Sequence, residues 1–138
     1  MLYTEVLSGL WIGDIDIMYN KTFLEDNQIQ VIINCTIDHP FSETIQGIQK
    51  IRVPLPTNLY QSLDTLRQHK DKILQYIDKQ LESHHILICC VEGTILSPFI
   101  ASLYLMKYGD IPKDEVRKII QSKNEAVSMD FDLGLLEL

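Results

Sequence analysis

Ile86-Leu87-Ile88-Cys89-Cys90-Val91-Glu92-Gly93-Thr94-Ile95-Leu96-Ser97-Pro98 is the stretch on which the fold turns. Residues 86–89 are apolar and rich in isoleucine, the pattern of a short buried strand. A loop containing Gly93 follows, and Pro98 is suited to the first turn of a helix that starts near Ser97. Phe99, Ile100, Leu103, Tyr104 and Leu105 make that helix apolar over much of its surface, which places it in the core. A glycine loop between a strand and a helix can turn successive backbone N–H groups inward, and the helix end adds partial positive charge. A cysteine at such a mouth is expected to ionise more readily and to attack phosphorus as a thiolate. Ser97 is placed to hydrogen-bond that thiolate or a leaving sulfur. Cys89 and Cys90 also suit a plainer role as small buried hydrophobes at a strand end, and the local features leave both readings open.

Working outward, residues 10–13 form a short strand after the Ser8-Gly9 turn, and 14–25 a short helical or irregular crossover. Val31-Ile32-Ile33-Asn34-Cys35 is a β-branched run expected to form an interior strand. A weaker strand over 48–53 ends at Pro54 and Pro56. Ser62 or Asn58 caps a helix running to about Leu81, in which Leu63, Leu66, Ile73, Leu74, Ile77 and Leu81 form one stripe. Gly109-Asp110 ends the helix after the cysteine loop. Pro112 opens another, with Val116, Ile119 and Ile120 inward and Lys113, Glu115 and Lys118 outward. Ser128 is expected to cap a last helix with Phe131, Leu135 and Leu138 near one stripe. Strands alternating with helices imply an α/β fold: one domain over 1–138 with a largely parallel twisted sheet covered by helices on both faces. Ligand sites in such sheets lie beyond the C-terminal ends of the strands, where Cys90 falls.

The 138 residues are 46% hydrophobic, enough for one core. Three cysteines, two of them adjacent, do not suggest a disulfide framework, so a reducing, cytoplasmic setting is expected, with nuclear access open. The first fourteen residues lack the basic start and apolar core of a signal peptide, and no apolar run is long enough to span a bilayer. Net charge is -7, which disfavours nucleic acid as a partner. Arginine is scarce, with only Arg52, Arg67 and Arg117, so forked clamps on phosphate are few. Abundant isoleucine and lysine fit an AT-rich genome, such as that of a large DNA virus or a protist. Asn20-Lys21-Thr22 and Asn34-Cys35-Thr36 match the glycosylation pattern by chance. His84 and His85 precede the strand on the far side from Cys90, so no metal site is expected there.

The segment Cys90-Val91-Glu92-Gly93-Thr94-Ile95-Leu96-Ser97-Pro98 resembles the signature loop of the dual-specificity protein phosphatases, which usually reads His-Cys-x-x-Gly-x-x-Arg-Ser, commonly followed by Pro. The resemblance continues through Tyr104-Leu105-Met106-Lys107-Tyr108 and Asp114-Glu115-Val116, and backwards through Ile32-Ile33-Asn34 and Leu10-Trp11-Ile12-Gly13. It implies a three-layer fold of that family, with residues 90–96 as the anion-binding loop. With Cys90 and Gly93 in register, Leu96 falls at the position of the family's arginine and Cys89 at that of its histidine. The arginine grips two phosphate oxygens and stabilises transition-state charge; losing one preorganised donor costs about 3–4 kcal/mol. The family's general acid is an aspartate in a segment like Ile-Pro-Val-x-Asp, which corresponds to Val53-Pro54-Leu55-Pro56-Thr57. Thr57 takes its place, and a hydroxyl is too weak an acid for the task.

Asp64, the nearest downstream carboxylate, reads as a solvated residue in the first turn of its helix. Glu92 stands where the family has a small residue; it either turns into the ring of N–H groups or points to solvent. Asn34 and Cys89 occupy loop-support positions, and Cys89 lacks the histidine's capacity to organise the loop. Asn34 alternatively forms an Asx turn with Thr36 or Asp38. His39-Pro40-Phe41 either borders the pocket or is a turn cluster. His69 reads as surface and Trp11 as packing. Lys123 adds charge near the pocket without restoring the clamp.

The resulting expectation is a pseudophosphatase: a protein-binding, scaffold or decoy module without cofactors, in which Cys90 and Ser97 are vestigial. Its expected partner is a protein, such as a phosphoprotein or a component of a kinase pathway, with no membrane or nucleic-acid role; the family also contains homodimers. The alternatives are a phosphotyrosine or phosphothreonine peptide-binding module, a thiol-based redox enzyme, and a residual phosphatase using Cys90.

Overall fold

The computed structural model describes residues 1–136. Five strands, β1 (Tyr3–Leu7), β2 (Leu10–Gly13), β3 (Ile29–Asn34), β4 (Gln49–Arg52) and β5 (His85–Cys89), form one sheet in the order β1-β2-β5-β3-β4. The last four in that order are parallel to one another, and β1 pairs antiparallel with β2. The sheet is therefore mixed and mostly parallel, as the alternation of strands and helices implies. β1 is an added antiparallel edge strand. Its signal is a period of two, with Thr4 and Val6 buried and Tyr3, Glu5 and Leu7 outward, and it is only five residues long at an edge.

Two apolar layers cover the sheet. On one side lie α3 (Leu59–Leu81), α4 (Leu96–Tyr108) and α5 (Lys113–Lys123), packed on Ile12, Val31, Ile33, Ile86 and Ile88. On the other lie α1 (Ile15–Met18) and α2 (Lys21–Asp26), packed on Ile32, Leu87 and Cys89. Residues 31–34 of β3 and 86–89 of β5 are buried on both faces, which is why 31–33 and 86–89 read as unbroken apolar runs. α4 is buried at every position from Leu96 to Leu105, as its apolar surface requires. Asn58, not Ser62, caps α3: its side chain accepts from the Tyr60 and Gln61 amides. Ser62 Oγ instead donates to the Pro56 and Asn58 carbonyls.

The helix expected from Ser128 is absent over 128–136, and Leu138 lies outside the described residues. Residues 127–134 alternate strictly, with Val127, Met129, Phe131 and Leu133 buried and the residues between them exposed. The period is two, that of an extended strap, not the helical 3.6. Met129 has a left-handed φ of 51°, and Arg117 donates to the Met129 and Phe131 carbonyls. Asp132 Oδ1 accepts from the Gly134 amide at 2.8 Å. These bonds occupy backbone groups that a helix would need. Phe131 meets Phe99 of α4 edge-on at 5.3 Å, so the strap closes the core beside the cysteine loop.

Candidate functional site

Gly13, Cys89, Asn34 and Arg52 stand in register at the C-terminal ends of β2, β5, β3 and β4. This is the edge at which parallel sheets place ligands. Strand alternation sends Cys89 and Cys90 to opposite faces: Cys89 joins the α1/α2 layer and Cys90 the α3/α4 layer. Cys89 Sγ donates to the Ile33 carbonyl at 3.5 Å, and burial pushes its pKa well up. Cys35 is also buried, and its thiol is pushed well up by the same desolvation. Cys89 thus sits in a sheet contact on the face away from the loop, not in the loop-support role set out for its position.

Cys90 lies at the floor of the loop. Its sulfur accepts from the Gly93 amide at 3.2 Å and the Ser97 amide at 3.4 Å, and its thiol donates to Ser97 Oγ at 3.3 Å. Ser97 Oγ in turn donates to the Gly13 carbonyl at 3.4 Å. The loop is held by its neighbour: Cys90 N–H donates to Gly13 O at 3.2 Å, and Ile15 N–H to Val91 O at 3.3 Å. Gly93 has φ +76°, and a Cβ there would fall 2.8 Å from the Asp14 nitrogen. Only glycine combines that backbone angle with that approach. Asp14 fixes the facing turn, accepting from Leu2 N–H at 2.7 Å and from Ile17 N–H at 3.0 Å.

The walls differ from the floor. Leu96 is 3% exposed and belongs to the main core. It lines a recess over Cys90 with Thr57, Val91, Glu92 and Ile95, and that recess holds about 20 Å³. One water needs roughly 10–15 Å³ by this measure, so the recess has room for about one water. Thr57 is exposed and lines the recess. Glu92 is exposed and borders both the recess and an outer cleft of about 340 Å³ that also holds Tyr60, Asp130 and Phe131. No basic side chain lines either space among the described residues, and two carboxylates stand at the mouth.

The three arginines are all committed elsewhere. Arg52 donates to the carbonyls of Thr36, Ile37 and His39 and lies over the Phe41 ring. Arg67 pairs with Asp64 on the surface of α3, which also removes Asp64 from the recess. Arg117 holds the C-terminal strap. Lys123 is exposed in the last turn of α5 and does not line the recess.

Asn34 does not reach the loop. Its Oδ1 accepts from Thr36 N–H and Oγ1 at 3.0 and 2.7 Å, and its Nδ2 donates to His39 O at 2.9 Å. This is the Asx-turn alternative, and it organises the 35–41 turn together with Arg52. His39, Pro40 and Phe41 belong to that turn cluster and do not line the recess. His69 is exposed on α3, and Trp11 packs against Tyr3 and Phe23. His84 and His85 lie at the opposite end of β5 from Cys90. Among the described residues, no group of three or more His, Cys, Asp or Glu side chains could hold a metal ion, and no helix is long and apolar enough to cross a membrane. Sequence reasoning missed Asp14 and Gly13 as the partners of the loop; a glycine and an N-cap aspartate directly after a strand were the available signal.

Known proteins resemble the chain in sequence and in fold. The chain is 27% identical to human dual specificity protein phosphatase 8 over 135 residues, covering 96% of this chain and 21% of that protein. It is also 27% identical to human dual specificity protein phosphatase 16, covering 96% of this chain and 20% of that protein. The chain thus spans about one fifth of the length of these relatives. A solved mouse putative dual specificity phosphatase superposes with a TM-score of 0.82 at 19% identity, covering 96% of this chain and 80% of that one. The human tyrosine phosphatase-like serine/threonine/tyrosine-interacting protein superposes at 0.79 with 15% identity, covering 97% and 90%. The family model described as "Dual specificity phosphatase, catalytic domain" matches residues 10–135, and the chain belongs to that family.

Proposed function

We propose that this domain is a pseudophosphatase, a dual-specificity phosphatase fold used for protein binding without phosphate turnover. One observation carries the reading: the recess over Cys90 is about 20 Å³ and is walled by Leu96 where the family has its arginine. Phosphoryl transfer relies on positioning and on charge stabilisation. Here the donors that remain are backbone amides already turned to the Cys90 sulfur, and the charged side chains that line the recess and its outer cleft are the carboxylates of Glu92 and Asp130. Thr57 offers no proton of useful acidity to a leaving phenolate. The acidic mouth also argues against a phosphopeptide-binding module, because phosphate would meet like charge.

A second reading has a specific observation in its favour. Ser97 and the Gly93 and Ser97 amides surround the sulfur as a thiolate would need, which keeps a slow cysteine-dependent hydrolase in view. Steady-state hydrolysis of an aryl phosphate separates the two. The proposal expects wild type and Cys90→Ser to match the uncatalysed rate, and Leu96→Arg alone to add less than about tenfold. Turnover by the wild type that Cys90→Ser abolishes would establish the hydrolase instead.

A further inference from the structure

We infer that the sheet edge at β4 and the groove between β4 and α3 form a docking site for an extended acidic segment of a partner protein, which adds to the sheet as a sixth strand. β4 is the last strand in the sheet order. The Val53 amide donates to Asn34 O at 2.9 Å, so by strand alternation Ile51 also turns its backbone toward β3. The N–H and C=O groups of Lys50 and Arg52 then point off the edge, ready for a new ladder. On the α3 side, Ile51 and Val53 of β4 face Ile73 and Tyr76 across a groove of about 390 Å³, a volume that suits inserted side chains. Alternate residues of an added strand would project into it.

Charge selects the partner. In a chain of net charge -7, no carboxylate lines this groove among the described residues, while the exposed Lys72 does, and Lys50 stands on the edge strand itself, its Nζ on the surface carbonyl of Ser42 at 3.2 Å. A second copy of the chain would bring those cations against one another, as edge lysines commonly do to prevent self-pairing. A strand with Asp or Glu flanking an apolar residue meets both the cations and the apolar floor. No residue of the Cys90 loop lines the groove, so the inference goes beyond the pseudophosphatase reading and does not depend on it.

The test selects a randomised ten-residue peptide library on the full chain and titrates the enriched peptides into the isotope-labelled protein. The expected result is enrichment of acidic peptides with an apolar centre, shifts at the Ile51 and Ile73 methyls and the Lys50 and Arg52 amides, and at least tenfold weaker binding by Lys72→Glu. Glu92→Ala, at the mouth of the cysteine loop, should leave affinity unchanged. The inference is overturned if no peptide is enriched, if basic peptides dominate, or if the shifts cluster at Gly93 and Ser97. Equal competition for this edge by RNA or anionic vesicles would also overturn it.

Discussion

On the floor of the Cys90 loop, the Gly93 and Ser97 amides meet the sulfur at 3.2 and 3.4 Å, whereas the walls built by Leu96, Ile95 and Thr57 leave only about 20 Å³ above it. The floor is made of backbone. It is held by Gly93 at φ +76° against Asp14 and by the Gly13 carbonyl, so disturbing it disturbs the sheet edge. The walls are made of side chains that can change without moving the chain. Different forces maintain the two, so the backbone outline of the loop does not depend on what charge or space lies above the sulfur.

Substitutions on each side of that divide should behave differently. Gly93→Ala combines a left-handed backbone with a backbone clash, and about 2–5 kcal/mol of destabilisation is expected by denaturant melt. A loss under about 1 kcal/mol would mean that the loop is not braced by the Asp14 turn. Leu96→Ala removes a core side chain and should cost about 2–4 kcal/mol while enlarging the recess, with no gain of hydrolysis. If that variant hydrolysed aryl phosphate, space and not charge would be the missing ingredient.

The buried thiols give an effect that appears only at high pH. Cys35 and Cys89 are both raised from a usual value of 9.0, chiefly by desolvation. Above that value the unfolded chain ionises them while the folded chain holds the protons, so stability falls as pH rises. It is fully present below about pH 9, and each thiol adds a slope of about 1.4 kcal/mol per pH unit above it. Thermal melts from pH 8 to 10.5 should show the decline, and Cys89→Ala should about halve its slope, leaving the Cys35 contribution. At the small end, Asp64→Asn breaks only the exposed pair with Arg67, and less than about 0.5 kcal/mol should change. A larger effect would reopen Asp64 as a functional carboxylate.

The strand, loop and helix around Cys90 could be read from the sequence because Ile86-Leu87-Ile88, Gly93 and Pro98 each impose a local preference that the fold does not contradict. The recess could not. Whether Leu96 turns inward to fill the space of an arginine depends on the packing of α4 against the sheet, and a leucine at that position is equally compatible with an open cradle. Asn34 shows the same limit: its type and place suited a loop partner, but the 35–41 turn and Arg52 are nearer to it. The C-terminal segment departs from its expected helix for a different reason. Phe131 and Leu135 fit a helical stripe, yet Val127, Met129, Phe131 and Leu133 fit a period of two, and the carbonyl bonds from Arg117 decided between them.

The most direct test of the divide between floor and walls is a titration of the wild-type protein with inorganic phosphate and with tungstate, following the backbone amides of Gly93, Thr94 and Ser97 by NMR. A recess this small and without a cation predicts no saturable shift at any of the three at millimolar anion, with the same concentrations leaving the Gly13 and Asp14 signals unmoved. A saturable shift confined to those loop amides would show that the cradle still opens to an oxyanion, and would contradict the account.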